Sequence, residues 1–372
     1  MLSTIIIFIL ILGLLVFVHE LGHFIAAKKM GVRVEEFGIG FPPRLFKVKK
    51  GETIYSINLI PLGGFVKLKG EDGGEKKDED SFSHKKIWQR ILILASGVGM
   101  NFLLAVFIIS IGFIIGFPQV ITGNSFEKYA KIKNEGIQVM SVLEECPAHD
   151  AGILPGDIIV SMDKKGVASV DEVKNYVNEK KEEKILVDIK RDDELIEKEV
   201  YPVIMEDADP PAYVMGVGLA KVGTVKYPFY IAIFKGVETT IILTEEILKA
   251  FYQLLKNLII VHKVTVELAG PIGIAALTGQ VADLGFIYIL QFIALLSINL
   301  GIINLLPFPA LDGGRIFFAL IEKIRGRAIN ENIENLIHNA GFALLMVLII
   351  FITYRDIMNY KSAFLDFFRR IF

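Results

Sequence analysis

Residues Ile5 to Ala27 read IIIFILILGLLVFVHELGHFIAA, 23 positions whose only ionisable side chains are His19, Glu20 and His23. At about 1.5 Å per residue, a helix of that length crosses the roughly 30 Å hydrocarbon layer of a bilayer. The stretch therefore predicts a transmembrane helix. A cleaved signal peptide is the alternative, but Met1 to Thr4 carry no basic residue and no A-x-A site follows. Three ionisable groups inside such a span cost several kcal/mol unless they coordinate something or face water, so their presence is a functional signal. Residues four apart on a helix share a face. His19 and His23 can thus converge on one metal ion while Glu20, offset by one position, addresses a water beside it. The single cysteine, Cys146, excludes an internal disulfide, and zinc must then sit on His and carboxylate ligands.

The rest of the chain agrees with a membrane setting. Of 372 residues, 53% are hydrophobic and 22% charged, and the mean hydropathy is +0.51. A net charge of -2 offers no basic surplus for binding nucleic acid by counterion release. Ile91 to Phe117 and Gly285 to Leu306 are free of charge and predict two more spans. Ala340 to Tyr354 predicts a fourth, short unless it borrows Leu336 to Asn339 or the bilayer thins. The loop from Lys28 to Arg90 holds 14 Lys and Arg against none in Met1 to Thr4, which predicts a cytoplasmic loop. Both termini and the long segment from Pro118 to about Leu284 then fall on the other side. The stretch Glu71 to Asp80, EDGGEKKDED, reads as a solvated loop.

From about Glu135 to Gly218 the pattern changes to short β-type runs: Ile137 to Val142, Ile158 to Met162, Ile185 to Ile189, Ile196 to Val203 and Val214 to Leu219. A helical stretch, Val170 to Lys180, interrupts them. This is a small α+β module. Its segment Cys146 to Ile159, CPAHDAGILPGDII, resembles the signature of PDZ domains of the bacterial protease type, which implies an extended peptide or exposed terminus as ligand. Tyr230 to Leu258 follows, with apolar residues at steps of three, four and seven. Its charges Lys235, Glu238, Glu245, Glu246 and Lys249 predict an amphipathic helix along the membrane surface or against other helices. The aromatic and basic Phe364 to Phe372 suits the interface as well. The predicted domains are 1–117, 118–225, 226–284 and 285–372. They compose a polytopic α-helical membrane protein of about four transmembrane helices with an inserted PDZ-like α+β domain.

Two His leave zinc one protein ligand short of a hydrolytic His₂-carboxylate set. Asp312 qualifies, because Asn304 to Arg315, NLLPFPALDGGR, stands at the end of the third span. Pro307 and Pro309 stop that helix, and Gly313-Gly314 loosen the backbone so that the carboxylate can turn toward a partner helix. Glu35, Glu36, Glu52 and His262 remain rivals, and an Asp before Gly-Gly is also an ordinary turn.

H-E-x-G-H in the first span, N-x-x-P-x-P-x-L-D-G-G in a late one and the PDZ-like module between them together resemble the site-2 protease family of intramembrane zinc metalloproteases. Within it, the chain is similar to the bacterial regulator of sigma-E protease branch, as a single-module member. Further matches are Phe37 to Phe41, Ile60 to Lys67, Gln89-Arg90, Asn101-Phe102 and Gly270 to Ile274. The resemblance implies one zinc held by His19, His23 and Asp312, water activated by Glu20, and substrate or its developing oxyanion held by Asn304. It also implies single-span substrates, such as trimmed anti-sigma factors or remnant signal peptides, and residence in the bacterial cytoplasmic membrane with the PDZ-like domain outside. Two positions depart from the family: Gly97-Val98-Gly99-Met100 replaces the usual Gly-Pro pair ahead of Asn101, and Pro42 stands where Gly is usual.

A peptide bond in a transmembrane helix is shielded by its own hydrogen bonds, so a substrate must be unwound where other backbone partners exist. Thr53 to Asn58 and Gly64 to Leu68, joined through Pro61-Leu62-Gly63, read as a hairpin or loop beside the first span, a membrane-associated β-hairpin in the expected fold. Gly63, Gly64 and Phe65 are its candidate substrate contacts. Past the midpoint of that span, His19 and His23 predict cleavage toward the cytoplasmic side. A non-catalytic PDZ-containing receptor and a metal transporter are the alternatives. The first needs none of Glu20, His23 and Asp312 together, and the second would show paired broken helices in repeated halves.

Overall fold

The computed structural model describes residues 2–71, 78–121, 129–143, 146–191, 194–205, 211–260, 270–327 and 329–359. His262, the segment 364–372 and most of the acidic stretch at 71–80 lie outside them. Two compact units are present, one of residues 1–112 with 233–372 and one of residues 113–232.

In the first unit, α1 (Leu2–Lys29) is followed by two long strands, β1 (Val34–Lys50) and β2 (Thr53–Leu68), and by a single 3₁₀ turn at Phe82–His84 before α2 (Ile87–Ile115). The strands bend and pair in three runs. Residues 34–39 face 68–64 in falling register, residues 36–39 face 54–57 in rising register, and residues 44–50 face 58–53. This corrects the hairpin expected through Pro61-Leu62-Gly63. The two segments of β2 do not pair with each other but flank the start of β1, and the turn is at Gly51 (φ +62°) instead.

Non-local side-chain bonds hold that arrangement. Glu36, buried in the sheet, accepts from Arg44 Nε at 3.0 Å, again from Arg44 Nη2, and from Ser56 Oγ at 2.7 Å. Thr53 Oγ1 donates to the Val34 carbonyl, and Asn58 Nδ2 to that of Gly40. Pro42 falls where the register breaks between Phe41 and Arg44, a place that asks no ladder hydrogen bond of it. Phe37 packs edge-on against Phe17 and Phe24 of α1. Phe41, Leu45, Phe46, Val48, Ile57 and Leu59 of these strands are exposed, apolar surface that fits lipid better than water.

The second unit begins within α2 and carries β3 (Phe117–Val120), β4 (Lys131–Val142), the single turn α3 (Pro147–Asp150), β5 (Ile158–Met162), β6 (Lys165–Gly166) and α4 (Val170–Lys180). It continues with β7 (Ile185–Arg191), β8 (Glu194–Val200), β9 (Val203–Met205), β10 (Ala212–Val214) and β11 (Val217–Lys226). One antiparallel sheet runs in the order β3-β11-β4-β5-β7-β8 with β6 on β5, while β9 and β10 pair apart. Alternation buries Ile185, Val187 and Ile189 of β7 against Val173 and Val177 of α4. Ser169 caps α4 by accepting from the Glu172 N–H, and Glu172 returns a bond to the Ala168 N–H.

The Gly156-Asp157 pair has a structural reason. Asp157 is 1% exposed, and its carboxylate accepts from Arg191 Nε and Nη2 and from the Leu154 N–H. Two expected strands end differently. The run to Val203 breaks after Val200, and the run from Val214 is interrupted by Gly216, whose φ of +81° leaves the extended region.

The chain returns to the first unit along α5 (Phe229–Ile260), whose Gly236 lies so close to α2 that a Cβ would meet Ser110 Oγ and come within 2.9 Å of the Val106 carbonyl. Then follow α6 (Pro271–Asp283), α7 (Phe286–Leu305), α8 (Asp312–Arg325) and α9 (Glu331–Asn359). Buried Asp356 of α9 accepts from the Gly273 N–H and so closes the N-terminus of α6. Among the described residues, four helices are long and apolar enough to cross a membrane: Ser3–Lys29, Ile87–Ile115, Phe286–Leu305 and Asn332–Met358. The fourth is 27 residues, not the 15 expected, because polar Asn335, His338 and Asn339 continue the helix without breaking it.

Candidate metal centre and catalytic site

α1 delivers His19 and His23 one turn apart, both buried, with Glu20 beside them. Asp312 comes from the first residue of α8, after the loop 306–311. Its Oδ2 lies 3.0 Å from His19 Nε2 and 3.3 Å from His23 Nε2, and the two imidazole nitrogens are 3.1 Å apart. Three such atoms in a triangle cannot all be good donors and acceptors to one another, since the angles are far from linear. A cation at their centre satisfies all three. Tetrahedral zinc with bonds of about 2.0–2.1 Å puts its ligands about 3.3 Å apart, close to the spacing found.

The ring nitrogens that face away support the same reading. His23 Nδ1 donates to the Ile93 carbonyl at 2.9 Å, which leaves the Nε2 lone pair for a metal. His19 Nδ1 is 3.2 Å from the Asn101 side-chain amide, and Asn101 Oδ1 is a buried oxygen without a partner among the described residues. Turning the amide brings that oxygen to the Nδ1–H, the bond a metal-bound imidazole makes through its second nitrogen. Asn101 is wholly buried, and its backbone carbonyl accepts from Ser297 Oγ of α7 at 2.8 Å. The departure ahead of it, Gly97 to Met100, thus leaves the asparagine in contact with His19.

Gly97 has a second use. A Cβ there would meet His23 Nε2 and stand 2.8 Å from His19 Cε1, so the site exists only because α2 has no side chain at that position. Gly97→Val is expected to expel zinc and abolish cleavage with the helices intact. Metal analysis of the purified variant beside circular dichroism checks this.

Gly313 and Gly314 do not loosen the backbone as expected. They are buried in the first turn of α8, where a Cβ would strike the carbonyls of Leu305 and Leu306 or of Phe308. Lack of bulk, rather than freedom, lets the loop fold over the helix and aim Asp312.

Among the described residues, His19, His23 and Asp312 form the one cluster able to hold a metal. Of the rivals, Glu36 is engaged by Arg44 and Ser56, Glu35 pairs with Lys67 at 2.9 Å, and Glu52 is an exposed residue of the β1–β2 turn. Asn304 Nδ2 is 3.5 Å from His19 Nε2. Glu20 lines a cavity of about 430 Å³ together with Phe65, Val66, Leu68, Asp312 and Phe342. The Val66 backbone stands beside the Glu20 carboxylate in that cavity, and the Leu68 N–H donates to Glu71. Gly64 sits against Glu20, 3.7 Å from a Cβ position to its Cγ. Gly63 is not brought to this cavity. It faces the Phe41 ring at a bend with φ +119°. Sequence reasoning missed the ion pair of Arg315 with Glu71 at the cavity wall, and His338, a lone histidine in an apolar helix.

The family model described as Peptidase family M50 matches residues 7–348. A Clostridium perfringens protein that bears a zinc-metalloprotease name is 35% identical over 92% of this chain and 95% of its own. The regulator of sigma-W protease RasP of Bacillus subtilis is 31% identical over 96% of this chain and 99% of its own, as is the zinc metalloprotease RasP of Bacillus licheniformis over the same shares. Among solved structures, the PDZ domain of an SdrC-like protein from Listeria monocytogenes is 26% identical over 24% of this chain and 92% of its own, with a TM-score of 0.22. The chain is a zinc metalloprotease and a multi-pass bacterial membrane protein, and it belongs to peptidase family M50, the site-2 proteases.

Proposed function

We propose that the chain hydrolyses a peptide bond within or near the transmembrane helix of single-span membrane proteins. One observation carries this reading: two ligands and the candidate base belong to an apolar span, and they meet a carboxylate in a cavity walled by a strand edge. His19, His23 and Asp312 would hold the zinc. When bound, zinc supplies a Lewis acid that polarises the scissile carbonyl and acidifies water. Glu20 takes the proton of the attacking water and hands it to the leaving amine. Asn304 donates its amide N–H toward the oxygen that gains charge. The edge from Gly64 to Leu68 offers backbone partners to an unwound substrate, with Phe65 against its side chains and Gly63 setting the bend.

The 14 Lys and Arg between residues 28 and 90 support a cytoplasmic position for the loop and strands, in the bacterial cytoplasmic membrane. The same asymmetry favours a position outside for unit 113–232 and cleavage toward the cytoplasmic side. By the resemblance, anti-sigma factors already trimmed by another protease, or remnant signal peptides, are the substrate class. The alternatives of a non-catalytic receptor and a metal transporter lose ground to a base poised beside a three-ligand cluster.

Unit 113–232 acts as a PDZ-like filter that obstructs bulky ectodomains and engages a newly exposed terminus. Its ends suit excision, because the Ile121 N–H bonds to the Lys221 carbonyl at 2.7 Å and a short linker can join them. Removing residues 122–220 is expected to leave cleavage of a minimal transmembrane peptide within about threefold, while an untrimmed substrate with a folded ectodomain is cut faster. Side-by-side assay in reconstituted vesicles decides. Loss of minimal-peptide cleavage in a zinc-loaded, folded variant would make the unit part of the catalytic assembly.

A further inference from the structure

The helix over the cavity carries a histidine that the catalytic assignment leaves unused. His338 of α9 accepts at Nδ1 from the Ala310 N–H at 2.9 Å, and its ring packs on that of Phe318, 5.4 Å between centroids. In sequence, Ala310 and Phe318 stand on either side of Asp312. Ala310 has φ +77°, a left-handed conformation that residues with a side chain rarely keep without outside support. About one turn further along α9, Gly341 lets the helix touch the same loop, since a Cβ there would meet Pro309 Cβ and lie 2.7 Å from the Pro309 carbonyl oxygen. The loop is thus gripped between α9 on one side and the Gly313-Gly314 turn on the other. Helix packing alone would not require a histidine acceptor on the one backbone N–H of this loop whose residue is left-handed.

We propose that His338 is a positioning residue for the metal centre. By accepting from the Ala310 N–H it fixes the loop conformation that turns the Asp312 carboxylate toward His19 and His23. Gly341 is its steric complement. This inference rests on the assignment of zinc to those three side chains.

The test uses the full chain in detergent, loaded with zinc, and follows release of the metal to a chromophoric chelator. His338→Ala is expected to release zinc about tenfold or more faster, the scale on which partners outside the ligand set act on metal affinity. His338→Asn, whose Oδ1 can stand near the place of Nδ1, should stay within about threefold of the unsubstituted chain. Gly341→Ala should speed release as His338→Ala does, which keeps the proposal testable if the first variant folds poorly by circular dichroism. Release at the unsubstituted rate from both His338→Ala and Gly341→Ala would overturn it, and so would equal loss in His338→Asn and His338→Ala. Asp312→Ala is measured alongside. If that variant still holds zinc, the ligand assignment fails and this inference with it. If it is empty while the α9 variants behave as the unsubstituted chain, only the role of His338 falls.

Discussion

Glu20→Gln is expected to keep about one zinc per chain and to cleave a single-span substrate about 10²–10⁴ times more slowly. The amide preserves the shape of the side chain and its place in the cavity beside Val66 and Asp312. It lacks the basic oxygen pair that accepts a proton from water. Because Glu20 is not one of the three atoms that converge within 4.8 Å, the metal should be indifferent to the change. Zinc analysis and single-turnover cleavage in vesicles check both halves. Near-normal turnover would remove Glu20 from the role of base.

Asp312→Ala should act on the other half of the site. Its Oδ2 is shared by His19 and His23, and no described carboxylate stands close enough to replace it. Zinc content is expected to fall from about one per chain to near zero, and cleavage below detection. Glu35→Ala and Glu36→Ala should leave the metal in place. Glu36→Ala strips Arg44 and Ser56 of their shared partner and should instead loosen the strands, which hydrogen exchange at residues 53–58 would report. Zinc lost from Glu35→Ala or Glu36→Ala alone would mean that the third ligand is misassigned.

What the sequence disclosed and what it hid follow from how local each feature is. The first span and its two histidines were legible because helix period and hydropathy are local, and the pair needs only four residues to declare itself. The helix Val170–Lys180 was legible for the same reason. The third ligand, Asp312, was named by the resemblance and not by its own surroundings, since nothing near Asp312 or Glu36 says which carboxylate is already engaged. That depends on Arg44 and Ser56 meeting Glu36 across a doubly paired sheet. The same non-local pairing defeated the hairpin expected at Pro61-Leu62-Gly63, where turn-type residues mark a bend inside a strand. Gly97, Gly313 and Gly341 matter for what would collide with them, a property of the folded neighbours alone. His338 stands in a polar stretch, Glu334 to Asn339, just ahead of an apolar run, and only its contact with Ala310 gives that ring an occupation.

The most direct measurement is the identity of the bond cut. A single-span peptide with a defined apolar segment is reconstituted with the chain in vesicles, and the products are weighed by mass spectrometry. Cleavage inside the apolar segment, on its cytoplasmic half, at a rate that falls with Glu20→Gln and Asp312→Ala, is the predicted result. Products cut only outside that segment, or formed equally well by those two variants, would contradict the account.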